Sequence, residues 1–218
     1  KDVSNQFPEI VKQLEQIAEE ARFTLWYKLT SRVGTESYET LCGSKPTAIE
    51  FSHFGLKSSI KLENKPHKKY SGENISALIN GIGGSINYRD PSWQGFEGED
   101  LIATIDLGKE QIINHIKARF LQDQVVWIFL PKLIQIEHST DGINFELAYE
   151  FYPDNSFSYD QDIFEYSVAL NNIDSRYVRI KGLNINECPD FHPGAGGPSW
   201  VFSDEIIIKW ISFLFLQL

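Results

Sequence analysis

The sequence predicts a mainly β protein: an antiparallel β-sandwich preceded by one α-helix. Three observations support this. From about Lys69 onward, apolar and polar residues alternate in at least seven short segments. Turn residues separate these segments, and none of them has a helical period. The one convincing amphipathic segment, Phe7–Arg22, lies near the N-terminus. Strands in succession without intervening helices are typical of a β-sandwich.

The segment "FPEIVKQLEQIAEEAR", Phe7–Arg22, is the predicted helix. Its apolar residues recur at steps of three and four, which forms one apolar face. Pro8 suits the first turn of a helix. Residues 23–68 are polar and lack a sustained period. We therefore predict that residues 1–68 are a helix and linker, the tail of a preceding catalytic domain, and that residues 69–218 form the β domain.

The strands follow in order along the second part of the chain. "KLIQIEHST" is followed by "DG", a strong turn signal, and then by "INFELAYEF". His115 and His138 fall inside predicted strands, where we interpret them as packed or surface residues rather than ligands. The predicted strands are "DLIATIDLG", "IINHIKARF", "KLIQIEHST", "INFELAYEF", "FEYSVAL", "SRYVRIKGL" and "DEIIIKW".

Three long loops interrupt the strands: "GIGGSINYRDPSWQGFEGE", "LQDQVVWIFLP" and "NECPDFHPGAGGPSW". Loops of this length are uncommon in a compact domain unless they have a function. They carry several aromatic residues, which either close the end of the sandwich or stack on a ligand. Aromatic faces suit the C–H face of a sugar ring, and polar side chains suit its hydroxyls.

The charge of the chain is uneven. The net charge is −10; residues 1–68 hold ten Lys/Arg and nine Asp/Glu, and residues 69–218 hold ten and twenty-one. The acidic second part would repel a phosphate backbone, so nucleic acid is excluded as a partner. No apolar run is long enough to span a bilayer. The two cysteines, Cys42 and Cys188, form no CxxC pair, which argues against structural zinc.

The order of motifs "DLIATIDLGKEQIINHIKARFLQD", "LPKLIQIEHSTDGINFELA" and "SRYVRIKG" resembles the discoidin family, also called the coagulation-factor 5/8 type C or galactose-binding-like family. The resemblance covers about 150 residues. It implies an eight-stranded antiparallel jelly roll, a fold that is common among carbohydrate-binding modules. The expected function is therefore a non-catalytic carbohydrate-binding module with a glycan ligand.

Two further resemblances concern the parent protein. "WQGFEGEDL", "FLQDQVVWIFLP" and "CPDFHPGAGGPSWVFSDEI" are similar to the module at the C-terminal end of bacterial β-hexosaminidases. "FPEIVKQLEQIAEEARFTLWYKLTSRVGTE" is similar to the tail of bacterial arylsulfatases. They imply a secreted, periplasmic or cell-surface bacterial sulfatase or glycoside hydrolase. This chain contains neither the sulfatase nucleophile motif nor a glycosidase carboxylate pair in its family context, so we expect no enzyme activity.

Trp93 or Trp127 is the expected stacking residue for a sugar. Trp200 either contacts the ligand as well or packs beneath the Gly-rich turn. Because the acidic surface repels sulfated chains, neutral sugars such as galactose or N-acetylhexosamine are the expected ligands. The predicted ligand-binding residues are Arg89, Trp93, Gln94, Gln122, Asp123, Trp127, His192 and Trp200.

The resemblance also implies a structural Ca²⁺, for which Asn80, Ser85 and Glu205 are the candidate ligands. Hard oxygen ligands suit Ca²⁺. Asn80 stands where many family members have Asp, so the charge of the site is lower. No cofactor is required for the expected function. The alternative for these residues is an ordinary turn at Asn80 and a surface glutamate at Glu205.

Two alternatives to glycan binding remain. The loop "CPDFHPGAGGPSW" places Cys188 and His192 four residues apart, but a reactive thiol needs a base within reach and a third group that orients the base. The domain could instead be a structural buttress that docks on a catalytic domain without a ligand of its own. The apolar C-terminal "WISFLFLQL" favours this second alternative.

Overall fold

A computed structural model describes residues 49–209. The predicted helix Phe7–Arg22 and the apolar C-terminal segment "WISFLFLQL" lie outside the described residues. Within them are nine strands and four short 3₁₀ helices, so the described part is mainly β, as predicted. The strands are β1 (Ile49–Glu50), β2 (Ser59–Leu62), β3 (Ile82–Gly83), β4 (Gln94–Glu97), β5 (Leu101–Gln122), β6 (Leu133–Ser139), β7 (Glu146–Phe151), β8 (Asp162–Leu183) and β9 (Trp200–Lys209). The 3₁₀ helices are Phe54–Lys57, Lys68–Tyr70, Ile75–Ile79 and Gln124–Val126.

The two longest strands, β5 and β8, contribute to both layers of the sandwich. They pair antiparallel from Leu101–Gly182 to Gln122–Asp162, with register shifts between Asp106 and Gln111 and between Ile113 and His115. Before the shifts, β5 pairs with β2; after them, it pairs with β9. Strands that change sheet at a bulge form the corners of such sandwiches. One layer is therefore β2-β5-β8-β6-β7 and the other is β4-β9-β5-β8.

The apolar core lies between these layers. In β5 the residues from Leu101 to Leu107 alternate between buried and half-buried, which is the period-2 pattern of a strand with one buried face. A Cβ on Gly182 of β8 would lie 3.2 Å from the ring of Phe120 and from Pro131, so the layers approach closely there. Core residues from both layers include Ala103, Ile105, Ile116, Phe120, Ile134, Ile136, Ile180, Ile206 and Ile208.

The β domain includes residues on the N-terminal side of Lys69, where the sequence analysis placed its start. Ser59–Leu62 pairs antiparallel with Ala103–Asp106. In the preceding segment, Ile49 and Glu50 pair with β3. Residues that were interpreted as a linker thus form an edge strand and a short ribbon of this domain.

The turn predicted from "DG" is present between β6 and β7. Gly142 has a φ of +74°, a left-handed conformation that favours glycine. Asp141 Oδ1 accepts hydrogen bonds from the amides of Ile143 and Asn144, both at 2.8 Å. These bonds stabilise the carboxylate and lower the pKa of Asp141 well below its ordinary value.

Candidate functional site

A cleft of about 260 Å³ lies where β4 and the start of β9 meet three loops. Trp200 and Phe202 come from β9, and Glu97 comes from the end of β4. The rest of the lining comes from the segment after β2, the loop before β4 and the loop after β5. The lining residues are His67, Lys69, Tyr70, Tyr88, Glu97, Val126, Ile128, Trp200 and Phe202.

Aromatic rings pack in edge-to-face and tilted arrangements around the cleft. The centroids of Tyr70 and Trp200 lie 5.4 Å apart at an interplanar angle of 89°. Tyr70 also contacts Phe202 at 5.0 Å and Tyr88 at 6.0 Å. His67 meets Trp200 at 5.2 Å and 82°. Edge-to-face contacts of this kind fix ring orientation, so the half-buried Trp200 and Tyr70 present defined surfaces to the cleft.

Backbone hydrogen bonds bring these elements together. The His67 amide donates to Gly95 O at 2.8 Å, which places the segment after β2 beside β4. The amide of Trp200 donates to Trp127 O at 2.9 Å, which joins β9 to the loop after β5. A Cβ on Gly95 would lie 2.6 Å from the Phe202 ring and 3.1 Å from Tyr70 Cβ. Glycine at position 95 therefore allows both rings to pack across β4.

The rim of the cleft carries polar groups of both signs. His67 Nε2 lies 3.9 Å from Glu97 Oε2, and both side chains are about two-fifths exposed. Lys69 Nζ lies 5.2 Å from the centroid of the Tyr70 ring, within range of a cation–π contact. Hydrogen-bond donors and acceptors therefore border an aromatic surface, the combination that small polar ligands with apolar faces require.

The structure places four of the predicted ligand residues in the interior: Trp93, Gln94, Gln122 and His192. Trp93 is 1 % exposed and its Nε1 donates to Ser85 O at 2.8 Å. Gln94 is fully buried, and its Nε2 donates to the carbonyls of Ser71 and Asn74. Gln122, at the end of β5, is also buried. The sequence predicted these residues as contacts because they lie in a long loop or at its edge, but the Trp93 and Gln94 side chains hydrogen-bond to backbone carbonyls within the protein instead.

Trp127 and His192 lie together near the cleft. Trp127 is 38 % exposed and has a φ of 72°, and its ring meets the His192 ring at 6.2 Å. His192 is buried: Nδ1 accepts from the Gly194 amide at 3.0 Å, which leaves Nε2 to donate to Gln124 O at 2.6 Å. His192 therefore holds the Gly-rich loop against the turn that contains Gln124.

The remaining predicted contacts, Arg89 and Asp123, have different surroundings. Arg89 is exposed and its guanidinium carbon lies 5.1 Å from the ring of Tyr88, a cleft residue. Asp123 accepts a hydrogen bond from Gln161 Nε2 at 2.9 Å. Burial raises the pKa of Asp123, while the Val126 amide hydrogen bond opposes this shift. Of the predicted set, Trp200 lines the cleft itself and Arg89 borders it through Tyr88.

The segment from Cys188 to Trp200 does not form a thiol–imidazole pair. Cys188 is buried, its Sγ lies 4.0 Å from Pro198 O, and burial raises the pKa of its thiol. Both ring nitrogens of His192 have other partners. The thiol therefore has neither the base nor the electropositive surroundings that activate a cysteine nucleophile.

A bulge in β9 creates a buried charged cluster beneath the loop before β4. Ala118 pairs with Ile206 and Phe120 with Ser203, so the single residue Arg119 faces two residues, Asp204 and Glu205. Arg119 Nη1 lies 2.6 Å from Asp204 Oδ2, and both side chains are inaccessible to solvent.

The second carboxylate of the bulge has its own partners. His53 Nε2 lies 2.9 Å from Glu205 Oε1, again with both side chains inaccessible to solvent. Glu205 Oε2 accepts a hydrogen bond from the Gly81 amide at 2.9 Å. Each buried acid thus faces a basic side chain of this chain, and Glu205 also fixes the loop at Gly81.

Stability should fall with rising pH because of Asp204. Burial raises the pKa of Asp204 from 3.8 to about 7 in the folded state, despite the opposing effect of Arg119. Between these values the folded protein binds more protons at this group than the unfolded chain, so the free energy of unfolding decreases as pH rises. Denaturant unfolding of wild type and Asp204→Asn from pH 4 to pH 8 should show this decrease in wild type relative to the variant. Parallel profiles would contradict it.

The side-chain oxygens of the three candidate Ca²⁺ ligands, Asn80, Ser85 and Glu205, bind partners within the chain and do not form an oxygen cage. Glu205 Oε1 faces His53 Nε2, and Glu205 Oε2 accepts a hydrogen bond from the Gly81 amide. Asn80 Oδ1 accepts from the Ile82 amide at 2.8 Å, and Ser85 Oγ faces the Asn87 amide at 3.4 Å. Among the described residues no group of three or more His, Cys, Asp and Glu side chains is placed to hold a metal ion. Ca²⁺ requires six to eight oxygen ligands, and the side-chain oxygens of Asn80, Ser85 and Glu205 already have partners within the chain.

Heat unfolding should therefore have the same midpoint in the presence of Ca²⁺ and of EDTA, because the buried acids already face His53 and Arg119. The measurement is differential scanning calorimetry of the intact chain in both buffers. A bound ion would raise the midpoint in a concentration-dependent way. A clear rise with Ca²⁺ would show that the ion displaces these partners and would restore the implied metal site.

Comparison with known proteins gives structural matches only. No protein-family model matches the sequence, and no curated protein matches it. The described residues contain no helix that is both long and apolar enough to cross a membrane.

Carbohydrate-binding modules are among the solved structures that match. Chitosan-binding module 1 of a chitosanase/glucanase from Paenibacillus sp. IK-5 has a TM-score of 0.50 and 14 % identity, over 73 % of this chain and 100 % of that module. A fucose-binding module from Streptococcus pneumoniae has a TM-score of 0.46 and 12 % identity, over 74 % and 100 %. The family 32 module of NanJ from C. perfringens, solved with galactose, has a TM-score of 0.45 and 15 % identity, over 75 % and 98 %.

At these identities the match shows a shared fold and nothing finer, and the argument rests on the first of the three structures. The β-sandwich that the sequence predicts is thereby confirmed as a fold: the β domain of this chain shares its fold with the chitosan-binding module.

Proposed function

We propose that this domain is a non-catalytic carbohydrate-binding module and that the cleft around Trp200 is its sugar site. The observation that carries the proposal is an open cleft walled by Trp200, Tyr70 and Tyr88 and bordered by the exposed side chains of His67 and Glu97. A sugar ring has an apolar C–H face and a polar edge, and this cleft offers a partner for each. The fold shared with a chitosan-binding module supports the same proposal.

The site proposed here differs in its residues from the one that the sequence predicts. Trp200 is the stacking residue in place of Trp93 or Trp127. Glu97 and His67 replace the buried Gln94 and Gln122 as polar contacts. Such a module binds weakly alone and gains from tethering, so we propose that it belongs to a secreted bacterial sulfatase or glycoside hydrolase and concentrates that enzyme on its glycan.

Trp200→Ala should reduce saccharide affinity more than about tenfold, because aromatic residues at the centre of a site carry much of the binding free energy. A glycan array with wild type selects a binding saccharide, and isothermal titration calorimetry then compares its affinity for wild type and variant. Ile143→Ala is the control, since Ile143 is 82 % exposed in the turn between β6 and β7. Circular dichroism and the unfolding midpoint verify that both variants fold.

Two results would count against the proposal. If folded Trp200→Ala binds as tightly as Ile143→Ala, the sugar site lies elsewhere. If wild type binds no saccharide on the array, the structural buttress becomes the better interpretation of the domain. In that case the cleft would be a contact surface for the catalytic domain.

A further inference from the structure

Three exposed aromatic side chains form a second surface near the cleft, which we call the aromatic platform: Phe157, Tyr159 and Phe191. They are 42 %, 80 % and 49 % exposed. The Phe157 ring contacts Tyr159 at 4.5 Å and Phe191 at 5.6 Å, both edge to face. Clustered exposed rings on a folded domain mark an interaction site more often than isolated ones do.

Buried polar contacts hold the loop that carries Phe157 and Tyr159 in place. Gln124 is fully buried; its Nε2 donates to Ser156 O at 2.9 Å and its Oε1 accepts from the Ser158 amide at 3.0 Å. Asn155 Nδ2 donates to Leu130 O at 2.9 Å. The exposed rings are therefore presented by an anchored loop, which lowers the entropy lost when a ligand is bound.

The platform and the cleft are on two sides of one short helix, Gln124–Val126. Val126 lines the cleft, whereas Gln124 anchors the loop of the platform. Trp127 follows directly, is 38 % exposed, and contacts His192, the neighbour of Phe191 in the chain. Residues Gln124 to Trp127 therefore connect the cleft to the residues that anchor the platform.

The segments that carry the platform are acidic. Residues 152–162 and 184–200, which carry its three rings, together contain five Asp and Glu and neither Lys nor Arg. Asp190, beside Phe191, is exposed. Hydrogen bonds from Ser156 lower the pKa of Asp154, so this carboxylate is charged at neutral pH. Carboxylates next to aromatic faces attract an ammonium group by Coulomb and cation–π interactions and repel an anionic chain.

We propose that the aromatic platform extends the sugar site and that the ligand is a cationic amino-sugar chain of several units. This rests on the proposed function of the cleft. The rings supply stacking surfaces for successive sugars, and the carboxylates select chains with free amines over N-acetylated or sulfated ones. The negative charge of the whole chain, −10, acts in the same direction at longer range.

The test compares glucosamine oligomers with N-acetylglucosamine oligomers of the same length, by calorimetry on the intact chain at low salt and mildly acidic pH. Wild type should bind the glucosamine hexamer at least about tenfold more tightly than the N-acetylated hexamer, and more tightly than the glucosamine dimer. Raising NaCl to about 0.5 M should remove most of the preference for the amine form, since exposed charges are then screened.

Variants separate the platform from the cleft. Phe157→Ser combined with Tyr159→Ser should abolish the gain from dimer to hexamer and leave dimer binding unchanged, while Trp200→Ala weakens both. Asp190→Asn should reduce the preference for the amine form about twofold to threefold. Glu146→Gln is the matched control, because Glu146 is exposed on β7 outside the platform segments.

Three outcomes overturn the proposal. If dimers bind in a Trp200-dependent way but hexamers bind no better and amines give no preference, the cleft functions alone. If no oligomer binds, the proposed function fails as well. If sedimentation shows a dimer that the Phe157→Ser/Tyr159→Ser variant disrupts, the platform binds a second copy of this chain instead.

Discussion

Replacing Arg119 with Met should lower the free energy of unfolding by about 3 to 5 kcal/mol, because it leaves a buried carboxylate without its partner. Arg119 is fully buried, and its guanidinium lies 2.6 Å from Asp204 and 5.0 Å from the centroid of the Phe51 ring. Methionine fills much of the volume but offers no charge and no hydrogen-bond donor. Urea unfolding at about pH 9, above the raised pKa of Asp204 and so with its carboxylate ionised in the wild type, measures the change by tryptophan fluorescence.

The neighbouring Lys117 provides a matched control. Lys117 of β5 and Glu165 of β8 form an ion pair at the surface, with 2.6 Å between Lys117 Nζ and Glu165 Oε2. Exposed pairs contribute at most about 1 kcal/mol, so Lys117→Met should have little effect. Adding Asp204→Asn to Arg119→Met should recover part of the loss, since it removes the stranded charge and retains an acceptor for the Gly84 amide. Equal losses for Arg119→Met and Lys117→Met would contradict this account.

Trp93→Ala should cost about 3 to 5 kcal/mol of stability without a specific effect on saccharide affinity. Trp93 is 1 % exposed, and a Cβ on Gly84 would lie 2.7 Å from its ring, so the indole fills a closely packed space. Its removal leaves a cavity and an unsatisfied Ser85 carbonyl. Thermal unfolding measures the loss, and calorimetry on the folded population measures binding.

Trp93→Phe distinguishes a role of Trp93 in core packing from a role in stacking on a sugar. It retains an aromatic ring, so it should destabilise less than Trp93→Ala and still bind saccharide as wild type does. Trp127→Ala, at a surface position, should change stability far less. Loss of affinity in a folded Trp93→Phe variant with wild-type stability would instead support the original interpretation of Trp93 as the stacking residue.

The strands of the β domain could be predicted because period and turn chemistry are local properties. "DLIATIDLG" and "SRYVRIKGL" carry the alternation that the structure shows in β5 and β8, and "DG" marks the turn at Gly142. The joining of "DLIATIDLG" and "IINHIKARF" into one 22-residue strand was not predicted. Their continuity depends on pairing with β8 across a bend, which is a tertiary property.

The site was harder to predict because burial depends on partners distant in sequence. Trp93 and Trp200 both lie next to Gly- and Pro-containing loops, yet Trp93 packs against Gly84 and Trp200 faces the cleft. His67 was assigned to the linker, and Tyr70 lies two residues after the predicted end of the linker. The alternation of Ile60 and Leu62 in the preceding "SIKL" was a signal for the strand that positions them. His53 could not be matched to Glu205 from sequence, because 152 positions separate them.

The position of β9 has a consequence for synthesis of the protein. β9, the last of the described strands, lies between β4 and β5. A nascent chain on the ribosome therefore holds β4 and one edge of β5 without their partner until residues 200–209 have emerged. Until then the backbone donors and acceptors of those edges are open to pairing with other chains. Completion of this layer, and of the cleft that Trp200 lines, is thus delayed until nearly all of the domain has been translated.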